Sequence, residues 1–201
     1  MTADTIVQHP IETFLATLRA ATAPMHAALE AAPLSAALLH DHVTAADYAT
    51  YLYYMRDVIF FCEQHVFPII ETVLTGLPRR RKLHLIEADL AHIPAPVHST
   101  NSYHPFSTAS VAFALGYMYV IEGSTLGGRV LLKHLAPKLA VDEKAGAAFF
   151  AGYGKETAAE WKAFLQQFGM YITAHNSERD AITGAQLAFT SIARHFDKYP
   201  N

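Results

Sequence analysis

The chain has 201 residues, 52% of them hydrophobic and 16% charged, with a formal net charge of -3. That length suits one domain with a sizeable core, and the charge excludes the basic footprint of a nucleic-acid binder. The single cysteine, Cys62, excludes an internal disulfide framework and fits a reducing compartment. Residues 1–4 show no basic stretch leading into an apolar core, so no secretory signal is read there. The longest apolar run, residues 109–121, falls short of the roughly 20 residues of a membrane span. These features point to a cytoplasmic protein.

Helical periodicity dominates, and sustained period-2 alternation is weak. The first ten residues are expected to form a flexible N-terminus, with Pro10 early in helix one. The apolar stripe of that helix runs through Phe14, Leu15, Leu18, Thr22, Met25 and Leu29, and Pro24 predicts a kink or restart. Thr44, with Asp47 three residues on, reads as the N-cap of a second helix reaching about residue 67. A helix near residues 81–91 follows a basic start. Residues 93–105 hold three prolines and read as a loop. Ser107 or Thr108 then caps a long helix ending near residues 135–137. Asp142 caps a short helix to about residue 151. Two more helices cover residues 155–175 and 178–196. The expectation is an all-α single-domain bundle of roughly seven or eight helices over residues 1–201.

Inside the long helix lies Gly123-Ser124-Thr125-Leu126-Gly127-Gly128. Each glycine in a helix interior costs about 1 kcal/mol relative to alanine, so the cluster needs a reason. Gly116, Gly123 and Gly127 share a face. Close helix packing is one reading. A phosphate loop is disfavoured, because no strand precedes the cluster and no Gly-x-x-x-x-Gly-Lys-Ser/Thr is present. A third reading is a helix that bends over the open face of a flat cofactor, with Ser124 a small polar group able to orient water.

His26 sits in the apolar stripe of helix one. Two turns before it on the same face is Arg19, and one turn after it is Glu30. A ligating histidine usually gives its second ring N–H to such a carboxylate, and a neutral imidazole suits iron. Arg19 suits an anionic carboxylate, and Ala23, Ala27 and Ala28 leave room for a broad ligand. A satisfied core histidine is the alternative. The other histidines form no zinc spacing. His40 and His42 flank Asp41 in a turn, His84 and His92 read as solvated, and Cys62 with His65 reads as a buried small hydrophobe rather than a nucleophile. The basic run Arg79-Arg80-Arg81-Lys82 is either a solvated face or a dock for an acidic partner.

Two segments together resemble the haem oxygenase family, in particular its bacterial, biliverdin-producing branch often associated with bacteriophytochromes. They are residues 18–30, LRAATAPMHAALE, similar to the proximal helix, and residues 116–131, GYMYVIEGSTLGGRVL, similar to the distal helix. Residues 184–189 are a weaker match. The resemblance implies an all-α fold with haem b held between the two helices. It implies His26 as the proximal iron ligand and Arg19 as a propionate partner, with Tyr117 as a second. Glu30 and Gly128 join them in the cofactor site. Gly123, Ser124 and Gly127 would carry the catalytic face, with the Gly123 carbonyl near the distal water. The animal enzymes place an Asp where Ser124 stands here, so the implied proton route uses water. The implied reaction opens haem to biliverdin, CO and ferrous iron with O2, so haem is both cofactor and substrate. An external reductase or ferredoxin would supply electrons, because the chain shows no flavin or nicotinamide motif. A bacteriophytochrome is an implied recipient of biliverdin. The alternative is a non-catalytic haem-binding or trafficking protein on the same fold.

Overall fold

The computed structural model describes residues 3–95 and 103–198. Helix α1 spans Ala3–Glu30, so it starts before Pro10 and does not restart at Pro24. Pro24 removes the bond to the Ala20 carbonyl. Both residues are exposed, so water replaces that partner and the helix continues. A short α2 (Pro33–Ala37) follows.

Helix α3 (Ala45–Phe61) opens with a complete capping box. Thr44 Oγ1 accepts from the Asp47 N–H at 3.2 Å, and Asp47 Oδ2 accepts from the Thr44 N–H at 2.8 Å. The α-helix ends at Phe61, but the rod continues through a π-helical turn, Cys62–Val66, into α4 (Phe67–Ile70). Pro68 stands just inside α4 and lacks the N–H that a regular helix would use there. The wider turn, with the Phe67 N–H bonded to the Cys62 carbonyl, spreads that defect. The helix expected near residues 81–91 is α6 (Leu83–His92), and the basic start before it forms a separate short helix, α5 (Leu77–Arg80).

Helix α7 (Val111–Leu139) passes through the glycine cluster without a break. Its cap is Ser110 rather than Ser107 or Thr108. Ser110 Oγ accepts from the Phe113 N–H at 3.2 Å and donates to Asp180 Oδ2 at 3.0 Å, which ties the start of α7 to the last helix. The helix also runs past Pro137, because that residue lies in its exposed last turn, and stops where Ala140 turns left-handed at φ 53°.

The short α8 covers only Ala148–Ala151. Its cap is Asp89 of α6, whose carboxylate accepts from the Ala148 and Phe149 N–H groups, both at 2.8 Å. Asp142, the cap expected from the sequence, instead holds a turn by accepting from Lys144 and Ala145. A 3-10 turn at Gly154–Glu156 leads into α9 (Thr157–His175), and α10 (Glu178–Phe196) closes the chain. No strand occurs among the described residues, which carry only isolated bridges at Asp142.

One apolar core runs through α1, α3, α7, α9 and α10. The pairing of α7 with α10 is the closest. A Cβ on Gly116 would stand 1.9 Å from the Ala181 carbonyl oxygen, and one on Gly184 would stand 2.0 Å from the Phe113 carbonyl oxygen. The two backbones meet where side chains are missing. Ala181, Ala185 and Ala188 continue the small, fully buried face of α10.

Candidate functional site

A cleft of about 890 Å³ opens between α1 and α7. That lies within the roughly 300–1,000 Å³ of cofactor and ligand pockets. Its walls are mostly apolar. Leu39, Leu126 and Val130 are among the few large hydrophobic side chains left exposed, and all three face it. Exposed apolar surface gathered around one concavity is the mark of a ligand site rather than of random surface composition.

From α1 come Arg19, His26 and Glu30. The His26 side chain is 55% exposed, so it is a cleft residue rather than a core histidine. Its ring packs edge-on against Phe189 of α10, with centroids 5.4 Å apart and planes at 75°. Nδ1 lies 3.4 Å from Glu30 Oε2. Glu30 is exposed, so the contact contributes little to stability, but a hydrogen held at Nδ1 by Glu30 would leave the Nε2 lone pair free.

Facing them, α7 presents Gly123, Ser124, Gly127 and Gly128. The four glycines of this helix separate into two kinds. A Cβ on Gly127 would meet nothing within 4 Å, and one on Gly123 would meet only the Trp161 ring, at 3.5 Å. Gly128 borders the cleft but is packed against Phe150, 3.2 Å from where its Cβ would stand. Gly116 shares their helical face yet serves only the contact with α10. The open space is therefore at Gly127, while a Cβ on Gly123 would fit in ordinary contact with the Trp161 ring. Ser124 Oγ donates to the Ile121 carbonyl at 2.7 Å, which leaves it as an acceptor toward the cleft. Thr125 makes the matching bond to the Glu122 carbonyl at 2.6 Å. Such back-bonds tend to bend a helix.

Tyr117 does not belong to this cleft. It is fully buried, and its hydroxyl is 2.6 Å from that of Tyr103, which in turn meets Ser191 Oγ at 2.7 Å. Tyr119 takes the place expected of Tyr117. Burial raises the Tyr119 phenol pKa, and Arg19 opposes the rise by its charge and a side-chain hydrogen bond. Arg19 and Tyr119 thus put a cation and a hydroxyl side by side in a mostly apolar cleft. The signal was in the spacing. At 100° per residue, Tyr119 lies about 40° from Gly123 on the helical wheel, whereas Tyr117 lies about 120° away. Trp161 and Phe189 also line the cleft, from helices whose approach no local pattern shows.

The other candidates fall away. Among the described residues no group of three or more His, Cys, Asp or Glu side chains is placed to hold a metal ion. Asp41 pairs with Lys138 at 3.0 Å, and that pairing lowers its pKa. Burial pushes the Cys62 thiol far up, and its Sγ rests 3.7 Å from Met118 Sδ. The basic run is not a free patch. Arg80 and Lys82 are buried, and Arg79 and Arg81 face Glu160 and Glu63 at 3.0 and 3.1 Å.

A helical protein whose large cleft separates a histidine-bearing helix from a glycine-surfaced one is suited to a flat, mostly apolar ligand with an anionic edge. A model of the family described as "Heme oxygenase" matches residues 12–198, and the chain belongs to that family. A heme oxygenase of Xanthomonas campestris pv. campestris (strain 8004) is 31% identical over 154 residues, 76% of this chain and 90% of the relative. "Heme oxygenase PigA" of Pseudomonas aeruginosa is 35% identical over 114 residues, 57% of each chain. In fold, the chain is similar to the NO- and CO-bound heme oxygenase from Neisseria meningitidis, with a TM-score of 0.74 at 22% identity over 92% of each chain. It is similar also to the heme oxygenase from Leptospira interrogans, with a TM-score of 0.73 at 16% identity over 92% of this chain and 98% of that one. Among the described residues no helix is long and apolar enough to cross a membrane.

Proposed function

We propose that the chain opens the haem macrocycle to biliverdin, with haem b as both cofactor and substrate and O2 as co-substrate. The observation that carries this reading is His26, exposed in a mostly apolar cleft opposite Gly123 and the open backbone of Gly127. Bound haem would supply the iron that activates dioxygen and the ring carbon that is attacked. His26 would hold the iron through Nε2, and Glu30 would set the ring's orientation at Nδ1. Arg19, with the Tyr119 hydroxyl beside it, would seat a propionate. Leu126 and Val130 would exclude bulk water from the reacting face. Ser124 Oγ spends its hydrogen on Ile121, so it would accept from an ordered water rather than donate a proton. Proton delivery then rests on water held at the Gly123 and Gly127 backbone.

Electrons would come from an external reductase or ferredoxin, and the product would suit a bacteriophytochrome as recipient. The reading places this chemistry in the cytoplasm. Hemin titration tests the first half: a Soret band should appear and be lost in His26→Ala. Ascorbate or a reductase should then bleach the band, with biliverdin recovered by chromatography. Haem that survives many reducing equivalents would leave a binding or trafficking protein instead.

A further inference from the structure

Behind the glycine segment, on the side of α7 away from the cleft, lies a buried ion cluster. Glu122 immediately precedes Gly123 and is 0% exposed. Its Oε2 accepts from Arg80 Nη1 at 2.6 Å, and its Oε1 accepts from Lys82 Nζ at 2.7 Å. The Tyr153 hydroxyl lies 3.0 and 2.9 Å from the two oxygens, and Lys82 Nζ donates to that hydroxyl at 3.1 Å. Arg80 and Lys82 are each 2% exposed. None of the four lines the cleft.

The cluster also reaches the cleft's far wall. Arg80 Nη2 lies 3.5 Å from Glu160 Oε2 and from the Glu160 carbonyl. Glu160 precedes Trp161, the ring that borders Gly123. Arg80 therefore bridges the residues that precede the two sides of this contact, and Arg79 holds Glu160 as well, at 3.0 Å.

Burying two cations against carboxylates is a weak way to gain stability, and the best-attested use of such buried charges is to fix the register of the elements they join. The glycine segment needs such fixing. It has few side chains of its own to lock into neighbours, and its open face looks into the cleft. We propose that Glu122 is a positioning residue, held by Arg80, Lys82 and Tyr153 so that the Gly123–Gly127 backbone stands at a set rotation and height over the ligand face. The inference rests on the proposed function for the identity of that ligand.

Two variants test it. Glu122→Gln keeps the volume and removes the charge. Tyr153→Phe removes one donor and leaves both ion pairs, so it should fold even if the first variant does not. Amide exchange in the haem-free protein compares residues 123–128 with residues 111–118 of the same helix. The expected result is exchange faster by about tenfold in Glu122→Gln, and severalfold in Tyr153→Phe, confined to residues 123–128. Hemin dissociation constants should rise in the same order. The infrared stretch of carbon monoxide added to the reduced haem complex should broaden or split, because the polar backbone facing it would no longer hold one position. Exchange that rises equally along α7 with an unchanged infrared band would mean a role in stability alone and would overturn the proposal. Unchanged exchange in both variants would overturn it as well. Should the wild-type chain take up no hemin, the functional reading fails, and the exchange comparison still decides whether Glu122 fixes the segment.

Discussion

Replacing Gly116 and Gly127 separately with alanine should move stability and haem affinity in different directions. The two glycines lie on one face of one helix, so sequence alone treats them alike. In Gly116→Ala the new Cβ would stand 1.9 Å from a backbone oxygen and 2.7 Å from its carbonyl carbon. More than an ångström of separation would have to open between α7 and α10, and no flexible side chain is there to yield. Overpacking costs about 1–3 kcal/mol and occasionally more, and a backbone obstacle puts this case at about 4 kcal/mol. The helix-propensity gain returns about 1 kcal/mol. A net loss of about 3 kcal/mol lowers the melting temperature of a chain this size by about 6–12 °C. Gly127→Ala meets nothing within 4 Å. It should therefore gain about 1 kcal/mol and melt about 2–4 °C higher. The same methyl would project into the cleft against a bound macrocycle. A penalty of about 1–3 kcal/mol weakens hemin binding by about 5- to 150-fold. Thermal melts of the haem-free proteins and hemin titrations read both effects. Unchanged hemin affinity in Gly127→Ala would refute the assignment of its face to the ligand. A Gly116→Ala protein melting within 2 °C of wild type (about 1 kcal/mol or less) would refute the packing argument.

His26→Ala should lose the Soret band of the ferric complex, with partial recovery on adding free imidazole; full retention of the band would remove His26 from the iron. Tyr117→Phe should cost about 0.5–1.5 kcal/mol, the worth of the bond to Tyr103, and leave hemin affinity unchanged, since Tyr103 keeps Ser191. A large loss of affinity would return Tyr117 to the ligand site. Stability should fall at alkaline pH. Burial raises the phenols of Tyr48, Tyr51, Tyr103, Tyr117 and Tyr153, that of Tyr103 to about 12. Burial pulls Lys82 down, but Glu122 and Tyr153 outweigh it and raise its pKa. Groups raised in the folded state contribute stability that is complete below their unfolded values, near pH 10, and lost as pH rises through the folded ones. Circular dichroism between pH 9 and 12, read beside tyrosinate absorbance, should show unfolding and ionisation together; independent titration of the tyrosines in a folded chain would contradict it.

The helices that sequence placed best are those whose signals are local. Thr44 and Asp47 form their capping box from residues three apart, and the last helix begins and ends where its periodicity does. Misplaced features depend on partners far along the chain. The α8 N-terminus takes Asp89, some sixty residues upstream, over the nearby Asp142. A carboxylate already positioned by α6 can accept two N–H groups at once, whereas Asp142 is occupied by its own turn. That Arg19 and His26 line one cleft is legible because residues seven apart in a helix share a face. Tyr119 was readable by the same rule, applied from Gly123.

The run Arg79-Arg80-Arg81-Lys82 shows why charge patterns mislead about site architecture. Four adjacent cations suggest a solvated face or a docking patch because burying a cation without a partner is prohibitive. The partners exist, however, forty residues on at Glu122 and beyond at Glu160. Alternate members of the run, Arg80 and Lys82, turn inward to meet them, while Arg79 and Arg81 stay at the surface. That inward pair meets α7 one residue before the glycine segment begins to face the cleft. Upstream, α7 is held by backbone contact with α10 at Gly116. Downstream of Gly123 it gives up side chains to leave the cleft open. The ion cluster stands at the boundary between these two regimes, where a helix that has exchanged packing for open space most needs an anchor from behind.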